Sequence, residues 1–106
     1  SDRYRTDFKV EGSSNYAFNL ILTRPDNALV ERLMRVMREA GIEFRRGSAG
    51  GGNQIRQPYL KGLVPKDHHL QFPETERVHF YGFYIGNYPD LHDEEIDELC
   101  KVLNSA

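Results

Sequence analysis

Hydrophobic and polar residues alternate over residues 16–23, and this is the clearest pattern in the chain. Tyr16, Phe18, Leu20 and Leu22 recur at every second position, with smaller or polar residues between them. Successive side chains of a strand point to opposite faces of the sheet, so that this spacing places the four large residues on one face. The pattern therefore predicts a strand with one buried face.

A helix is predicted to follow this strand, because the spacing of the apolar residues changes from two to three or four. Asp26 or Asn27 is placed to cap the start of the helix, and Gly41 is placed to end it. The predicted buried stripe consists of Leu29, Leu33, Val36, Met37 and Ala40.

A second strand is predicted directly after Gly41, where Ile42 and Phe44 alternate with Glu43 and Arg45. Strand, helix and strand together make a β-α-β unit over residues 16–45. If the two strands share a sheet, we expect them to be parallel and joined by a right-handed crossover.

The C-terminal part of the chain predicts one more strand and one more helix. Residues 78–85 carry large rings at alternating and intervening positions, typical of a strand covered on both faces or with one face awaiting a partner. A helix is predicted to begin near His92, with Glu95 at capping-box spacing. Its predicted buried stripe consists of Ile96, Leu99, Cys100 and Leu103.

The predicted fold class is α/β (α+β), a small sheet of about three strands with helices packed on it. Residues 1–15 are polar and predict an extended lead-in, and residues 61–76 predict an irregular loop. At 106 residues the chain is long enough for one domain, which we place at residues 16–106.

Composition narrows the function classes. The net charge is -2, which disfavours general nucleic-acid binding, and no apolar run reaches the length of a membrane span. The chain has one cysteine and so no internal disulfide, and we therefore expect a reducing, cytoplasmic setting.

The most distinctive stretch is a glycine-rich loop flanked by polar and basic residues. Arg45 and Arg46 precede the glycines, and Asn53 and Arg56 follow them. A guanidinium fork holds a carboxylate or phosphate through paired hydrogen bonds, so this grouping suggests recognition of an anion. An exposed hairpin loop with scattered charges is an equally good interpretation of the spacing.

Known nucleotide motifs and catalytic groups are not found in this sequence. Gly47 and Gly52 have the spacing of a phosphate loop, but the lysine and hydroxyl residue that must follow are absent. Ser48 lacks the nucleophile-elbow context, and Cys100 lies on a predicted apolar stripe. His68, His69 and His79 lack the accompanying ligand spacing of a metal site. We therefore predict no catalytic residue and no metal site in this chain.

Two motifs, which follow each other along the chain, resemble motifs in the C-terminal domain of the DegT/StrS-type nucleotide-sugar aminotransferases. These aminotransferases are pyridoxal-phosphate enzymes. Arg56-Gln57-Pro58-Tyr59 and the later Tyr84-Ile85-Gly86-Asn87-Tyr88-Pro89 are closest to the sugar 3-dehydratase branch of that family. The resemblance also includes Gly41-Ile42, Arg45 and Gly52-Asn53, and it covers residues 13–103. The glycine run is longer than the corresponding link in the family.

The resemblance implies the small domain of a larger fold-type I (aspartate aminotransferase-like) enzyme. The absent large domain would bind pyridoxal 5'-phosphate and carry the Schiff-base lysine, or the histidine that replaces it in the dehydratases. This chain alone would then be inactive. The full-length enzyme would be a cytoplasmic homodimer acting on a 4-keto-6-deoxy nucleotide sugar in deoxysugar or lipopolysaccharide biosynthesis.

The resemblance also implies roles for four residues. Arg45 matches the arginine that receives the carboxylate of the amino donor, typically glutamate. Asn53, Arg56 and Tyr59 would border the cleft for the nucleotide sugar. Whether the enzyme transaminates its substrate or removes its 3-hydroxyl depends on a residue outside this chain.

Two other functions are compatible with parts of the pattern. A non-catalytic α/β module that binds an amino acid or an anion would also use the arginine-rich loop. RNA binding would use the aromatic residues 78–85, but the net negative charge and the lack of an interleaved aromatic and basic pattern disfavour it.

Overall fold

The computed structural model describes residues 2–14, 17–86 and 91–106. Its strands are β1 (Ala17–Ile21), β2 (Phe44–Arg46) and β3 (Gly82–Gly86). Its α-helices are α1 (Asn27–Glu39), α2 (Pro73–Tyr81) and α3 (Asp93–Asn104). Four short 3-10 turns lie between β2 and α2, at Ala49–Gly51, Gln54–Arg56, Pro58–Leu60 and His68–Gln71. The mixed α/β fold class predicted from the sequence is confirmed.

The sheet is antiparallel and has the order β1-β3-β2. Both β1 and β2 pair antiparallel with β3, so they run in the same direction without being neighbours. The expected β-α-β unit is therefore present in a split form, with β3 inserted between its two strands. The expectation that these two strands are parallel to each other is confirmed, although the sheet as a whole is antiparallel because β3 lies between them.

Helix α1 forms as the sequence predicts. Asp26 is the N-cap, and its Oδ1 accepts a hydrogen bond from the Leu29 N–H at 3.0 Å. After the helix, Gly41 has a φ of 72°, a left-handed conformation that glycine adopts without strain. The predicted start of β1 at Tyr16 lies outside the described residues.

The cap of α1 gives a stability prediction. Asp26→Ala leaves the Leu29 N–H without its side-chain acceptor and should lower the free energy of unfolding by about 1 kcal/mol in chemical denaturation. Asn27→Ala, at the first helical residue, is the matched control and should have a clearly smaller effect. Equal losses for the two variants would contradict the assigned cap.

Residues 73–81 differ from the prediction, because they form helix α2, where an irregular loop was expected up to residue 76 and a strand from residue 78. Pro73 occupies the first turn of α2, where its missing N–H has no helical partner to lose, and Glu74 and Glu76 favour the positive end of the helix dipole. Gly82 ends the helix in an extended conformation, and β3 begins there. The alternation of rings over residues 78–85 therefore spans the junction of a helix and a strand.

One face of the sheet is packed against α1 and α3. The buried core consists of Leu20 and Leu22, Leu29, Val30, Leu33 and Met37 of α1, Phe83 and Ile85 of β3, and Leu103 of α3. Of the predicted stripe of α3, Leu103 is buried, Leu99 packs against the core, and Ile96 and Cys100 are half-buried.

The N-terminal lead-in lies extended beside β1. Arg5 N–H donates to the Ile21 carbonyl oxygen at 2.8 Å, and Tyr4 forms an antiparallel bridge with Leu22. Tyr4 packs against the core, and burial raises the pKa of its phenol. None of the helices formed by the described residues is long and apolar enough to cross a membrane.

Candidate functional site

Arg45 lies on the sheet face opposite the core. In an antiparallel sheet, residues that oppose each other across neighbouring strands point to the same face. Arg45 of β2 opposes Tyr84 of β3, which in turn opposes Asn19 of β1. These three residues form a polar row across the whole sheet. Arg45 and Asn19 are exposed, and Tyr84 is half-buried.

The Arg45 guanidinium is available for an external ligand. Within residues 2–14, 17–86 and 91–106 it has no hydrogen bond and no ion pair. It lines an open cleft of about 620 Å³ together with Arg38, Glu43 and Tyr84. Because a guanidinium presents a planar set of N–H donors, it can hold a carboxylate in this cleft through two parallel hydrogen bonds.

The loop of residues 47–60, called the glycine loop below, carries the other three predicted site residues. Its residue Asn53 is 2% exposed. The Asn53 Oδ1 accepts from the Ile55 N–H at 3.2 Å, and its carbonyl oxygen accepts from the Arg56 N–H at 3.0 Å. In this conformation the Asn53 side chain shapes the loop and is closed to solvent.

Arg56 is held against helix α2. Its Nε donates to both carboxylate oxygens of Glu76, at 2.9 and 2.8 Å, and its Cζ lies 4.8 Å from the centroid of the Phe80 ring. Glu76 has a side chain that is only 13% exposed. The two terminal amino groups of Arg56 have no acceptor in the described part of the chain, so they remain available to a ligand.

Tyr59 is the most exposed of the four predicted residues. Its ring is largely in solvent, and its hydroxyl donates to the Gln54 Oε1 on the preceding turn. The structure places Asn53, Arg56 and Tyr59 on consecutive turns of one loop. Arg45 lines a different cleft from Arg56, so the four predicted residues fall into two separate groups.

Sequence reasoning missed His79, which contacts the glycine loop directly. Its Nδ1 accepts a hydrogen bond from the Asn53 N–H at 2.9 Å. Burial lowers the pKa of His79, Arg56 and Arg46 lower it further, and Glu76 opposes them. His79 is half-buried on α2 and was expected to lie on a strand, so no sequence signal pointed to this contact.

The Arg56–Glu76 pair gives a second stability prediction. Glu76→Gln removes the charge that holds Arg56 on α2, and we expect the free energy of unfolding to fall by about 1 kcal/mol. Glu74→Gln is the matched control, because Glu74 pairs with Arg5 at the surface and its side chain is 65% exposed. Chemical denaturation of both variants checks this, and a larger loss for Glu74→Gln would contradict it.

The histidines do not gather into a ligand set. His69 Nε2 lies 4.0 Å from Glu76 Oε1, and the ring of His68 contacts Phe72 edge to face. Among the described residues, no three His, Cys, Asp or Glu side chains are grouped so that they could hold a metal ion.

Comparison of the chain with protein-family models, with curated proteins and with solved structures gives no match.

Proposed function

We propose that this chain is the C-terminal small domain of a cytoplasmic, pyridoxal-phosphate-dependent enzyme that aminates or 3-dehydrates a 4-keto-6-deoxy nucleotide sugar. The observation that carries the proposal is the environment of Arg45. Its guanidinium is unpaired among the described residues and projects from the outer face of the sheet, in one row with Asn19 and Tyr84. The motif resemblance described above assigns this same residue to the donor carboxylate.

The role of Arg45 in this proposal is to bind and orient the donor. A carboxylate held by two hydrogen bonds from a rigid strand has little rotational freedom, which fixes the amino group of glutamate relative to the rest of the site. Tyr84 lines the same cleft as Arg45, and Asn19 lies on the same face of the sheet, two strands away from Arg45.

The proposal assigns no cofactor site to the described residues of this chain. Lys61, Lys66 and Lys101 are exposed, and none of them lines the cleft of Arg45. The proposal therefore assigns cofactor binding to a large domain outside this chain. The chain itself contributes the donor-binding arginine and a loop at the edge of the substrate cleft.

The glycine loop is proposed to border the nucleotide sugar. The free terminal amino groups of Arg56 suit a phosphate oxygen, and the exposed Tyr59 offers a ring and a hydroxyl. Asn53 supports this role indirectly, because it fixes the turn on which Arg56 lies.

The proposal is tested by assaying the full-length protein with pyridoxal phosphate, glutamate and a panel of 4-keto-6-deoxy nucleotide sugars. We expect either an aminated sugar with 2-oxoglutarate or a 3-deoxygenated sugar, according to the Schiff-base residue of the large domain. A full-length protein that binds no pyridoxal phosphate and forms neither product would reject the proposal. Glutamate binding by the 106-residue chain alone would favour the ligand-binding module instead.

A further inference from the structure

The glycine loop is attached to helix α2 through a contact that requires an uncharged histidine. The Asn53 N–H donates to His79 Nδ1, so this ring nitrogen must carry a lone pair and no proton. The loop backbone approaches the ring so closely that a Cβ at Gly52 would overlap His79 Nδ1. Gly52 also has a φ of 56°, which a glycine adopts without strain.

The charges around His79 disfavour its protonation. Arg56 faces it from the glycine loop and Arg46 from β2, and both are cationic. Glu76, on α2, is the acid that favours the charged ring. That carboxylate already accepts two hydrogen bonds from Arg56 and lies 4.0 Å from His69. A proton on His79 would therefore add a third cation beside Arg56 and Arg46. The carboxylate of Glu76 is already paired with Arg56.

The attached loop also contains a polar group that gains from release. The Asn53 Nδ2 is buried and has no hydrogen-bond partner among the described residues. A buried donor without an acceptor loses its hydration with no compensation. Opening the loop would return the Asn53 amide to water, which offsets part of the stabilisation from the contacts of the loop with His79, Glu76 and Phe80.

We propose that the glycine loop is a pH-dependent lid, held on α2 by neutral His79 and released when this histidine is protonated. Protonation turns Nδ1 from an acceptor into a donor, so that the Asn53 N–H loses its partner and the ring repels Arg56. Because Arg56 and Tyr59 belong to the same loop, release changes the position of both. The proposal concerns the attachment of the loop and does not depend on the proposed function.

The sign of the pH effect follows from the direction of the pKa shift. His79 has a lowered pKa when the loop is attached, and its ordinary value of 6.5 applies when the loop is open. Attachment is therefore fully favoured above pH 6.5 and is weakened as the pH falls below that value. At a pH below both pKa values of His79, the equilibrium constant for loop attachment is smaller than its value at high pH. It is about tenfold smaller for each unit by which attachment lowers the pKa of His79.

Hydrogen–deuterium exchange of the full-length protein between about pH 8 and about pH 5 tests this proposal, after correction for the intrinsic pH dependence of exchange. We expect the peptides that cover residues 50–57 to exchange about fivefold faster or more at the acidic end, while those of α1 keep their protection. In His79→Gln the side-chain oxygen can still accept from the Asn53 N–H and does not titrate. This variant should stay protected at both pH values.

His69→Gln is the matched control, because His69 is also near Glu76, but its side chain makes no hydrogen bond to the loop backbone among the described residues. It should keep the wild-type pH dependence. Equal protection of the wild-type loop at both pH values, or an unchanged pH dependence in His79→Gln, would overturn the proposal.

A second measurement needs only the wild-type protein. NMR of its ¹⁵N-labelled histidines should show His79 titrating below pH 6.5. Titration of His79 at or above pH 6.5 would also overturn the proposal.

Discussion

Replacing Arg45 with alanine in the full-length protein is expected to lower kcat/KM for glutamate about hundredfold. The physical reason is the loss of two charged hydrogen bonds to the donor carboxylate. Arg46, the other arginine of β2, cannot replace them, because it lies on the opposite face of the sheet and donates to the Phe80 carbonyl oxygen. Cofactor binding should be unchanged, because Arg45 is assigned no contact with the cofactor. Steady-state kinetics with varied glutamate, together with the cofactor absorbance of the same samples, measures both quantities.

Two further variants distinguish carboxylate recognition by the planar guanidinium of Arg45 from attraction by its positive charge alone. Arg45→Lys keeps the positive charge but loses the planar fork, so kcat/KM for glutamate should fall about tenfold. Arg35→Ala is the matched control, since Arg35 is exposed on α1 and does not line the cleft of Arg45. Its glutamate kinetics should match the wild type. Unchanged glutamate kinetics in Arg45→Ala would reject the role assigned to this residue.

The largest loss of stability is expected for Gly47→Ala, with a fall of about 3 kcal/mol or more in the free energy of unfolding. A Cβ at Gly47 would overlap the main-chain carbonyl oxygen of Val78 in the last turn of α2. A main-chain atom cannot rotate away as a side chain can, so the end of β2 and α2 would have to separate. The Gly47 N–H also donates to the Gly82 carbonyl oxygen at 2.7 Å, and this bond would be strained.

Gly86→Ala is the matched control for this prediction. Gly86 ends β3, a Cβ there meets no atom of the described residues within 4 Å, and its φ is not left-handed. Chemical denaturation should show a small change for Gly86→Ala and a large one for Gly47→Ala. Similar stability of the two variants would mean that β2 and α2 do not approach each other as described.

The sequence predicts those elements whose signals are local. The cap at Asp26 and the stop at Gly41 belong to one helix, and the structure confirms both. Of the predicted stripe of α1, Leu29, Leu33 and Met37 are buried, Val36 is half-buried and Ala40 is exposed. The strand predicted at residues 78–85 is confirmed only from residue 82 onward, because the first part of its alternation belongs to the end of a helix. Pro73 and the two acids in the first turn of α2 were the competing local signal, and Gly82 marks the true boundary.

The order of the strands in the sheet could not be predicted from the local alternation of apolar and polar residues. Alternation predicts that β1 and β2 are strands and that α1 connects them, but it does not show that β3 pairs between them. That insertion depends on contacts between residues more than 35 positions apart in the chain, such as Arg45 with Tyr84 and Asn19 with Tyr84. It also makes the sheet antiparallel, which changes which residues share a face with Arg45.

The candidate site was predictable only in part. Alternation with Ile42 and Phe44 places Arg45 on the outer face, and the structure confirms its exposure. The burial of Asn53 was not predictable, because a polar residue beside a glycine run is usually exposed. The partners of the glycine loop were also hidden, since His79 and Glu76 lie 20 or more positions away, in a helix that the pattern did not indicate.

A crystal structure of the full-length protein with bound glutamate is the sharpest test of the proposal that Arg45 binds the donor carboxylate in an active site completed by another domain. We expect both carboxylate oxygens of one end of glutamate to lie about 2.7–2.9 Å from the Arg45 guanidinium nitrogens, on the sheet face that carries Asn19 and Tyr84. Glutamate bound elsewhere, with Arg45 directed into solvent, would contradict it.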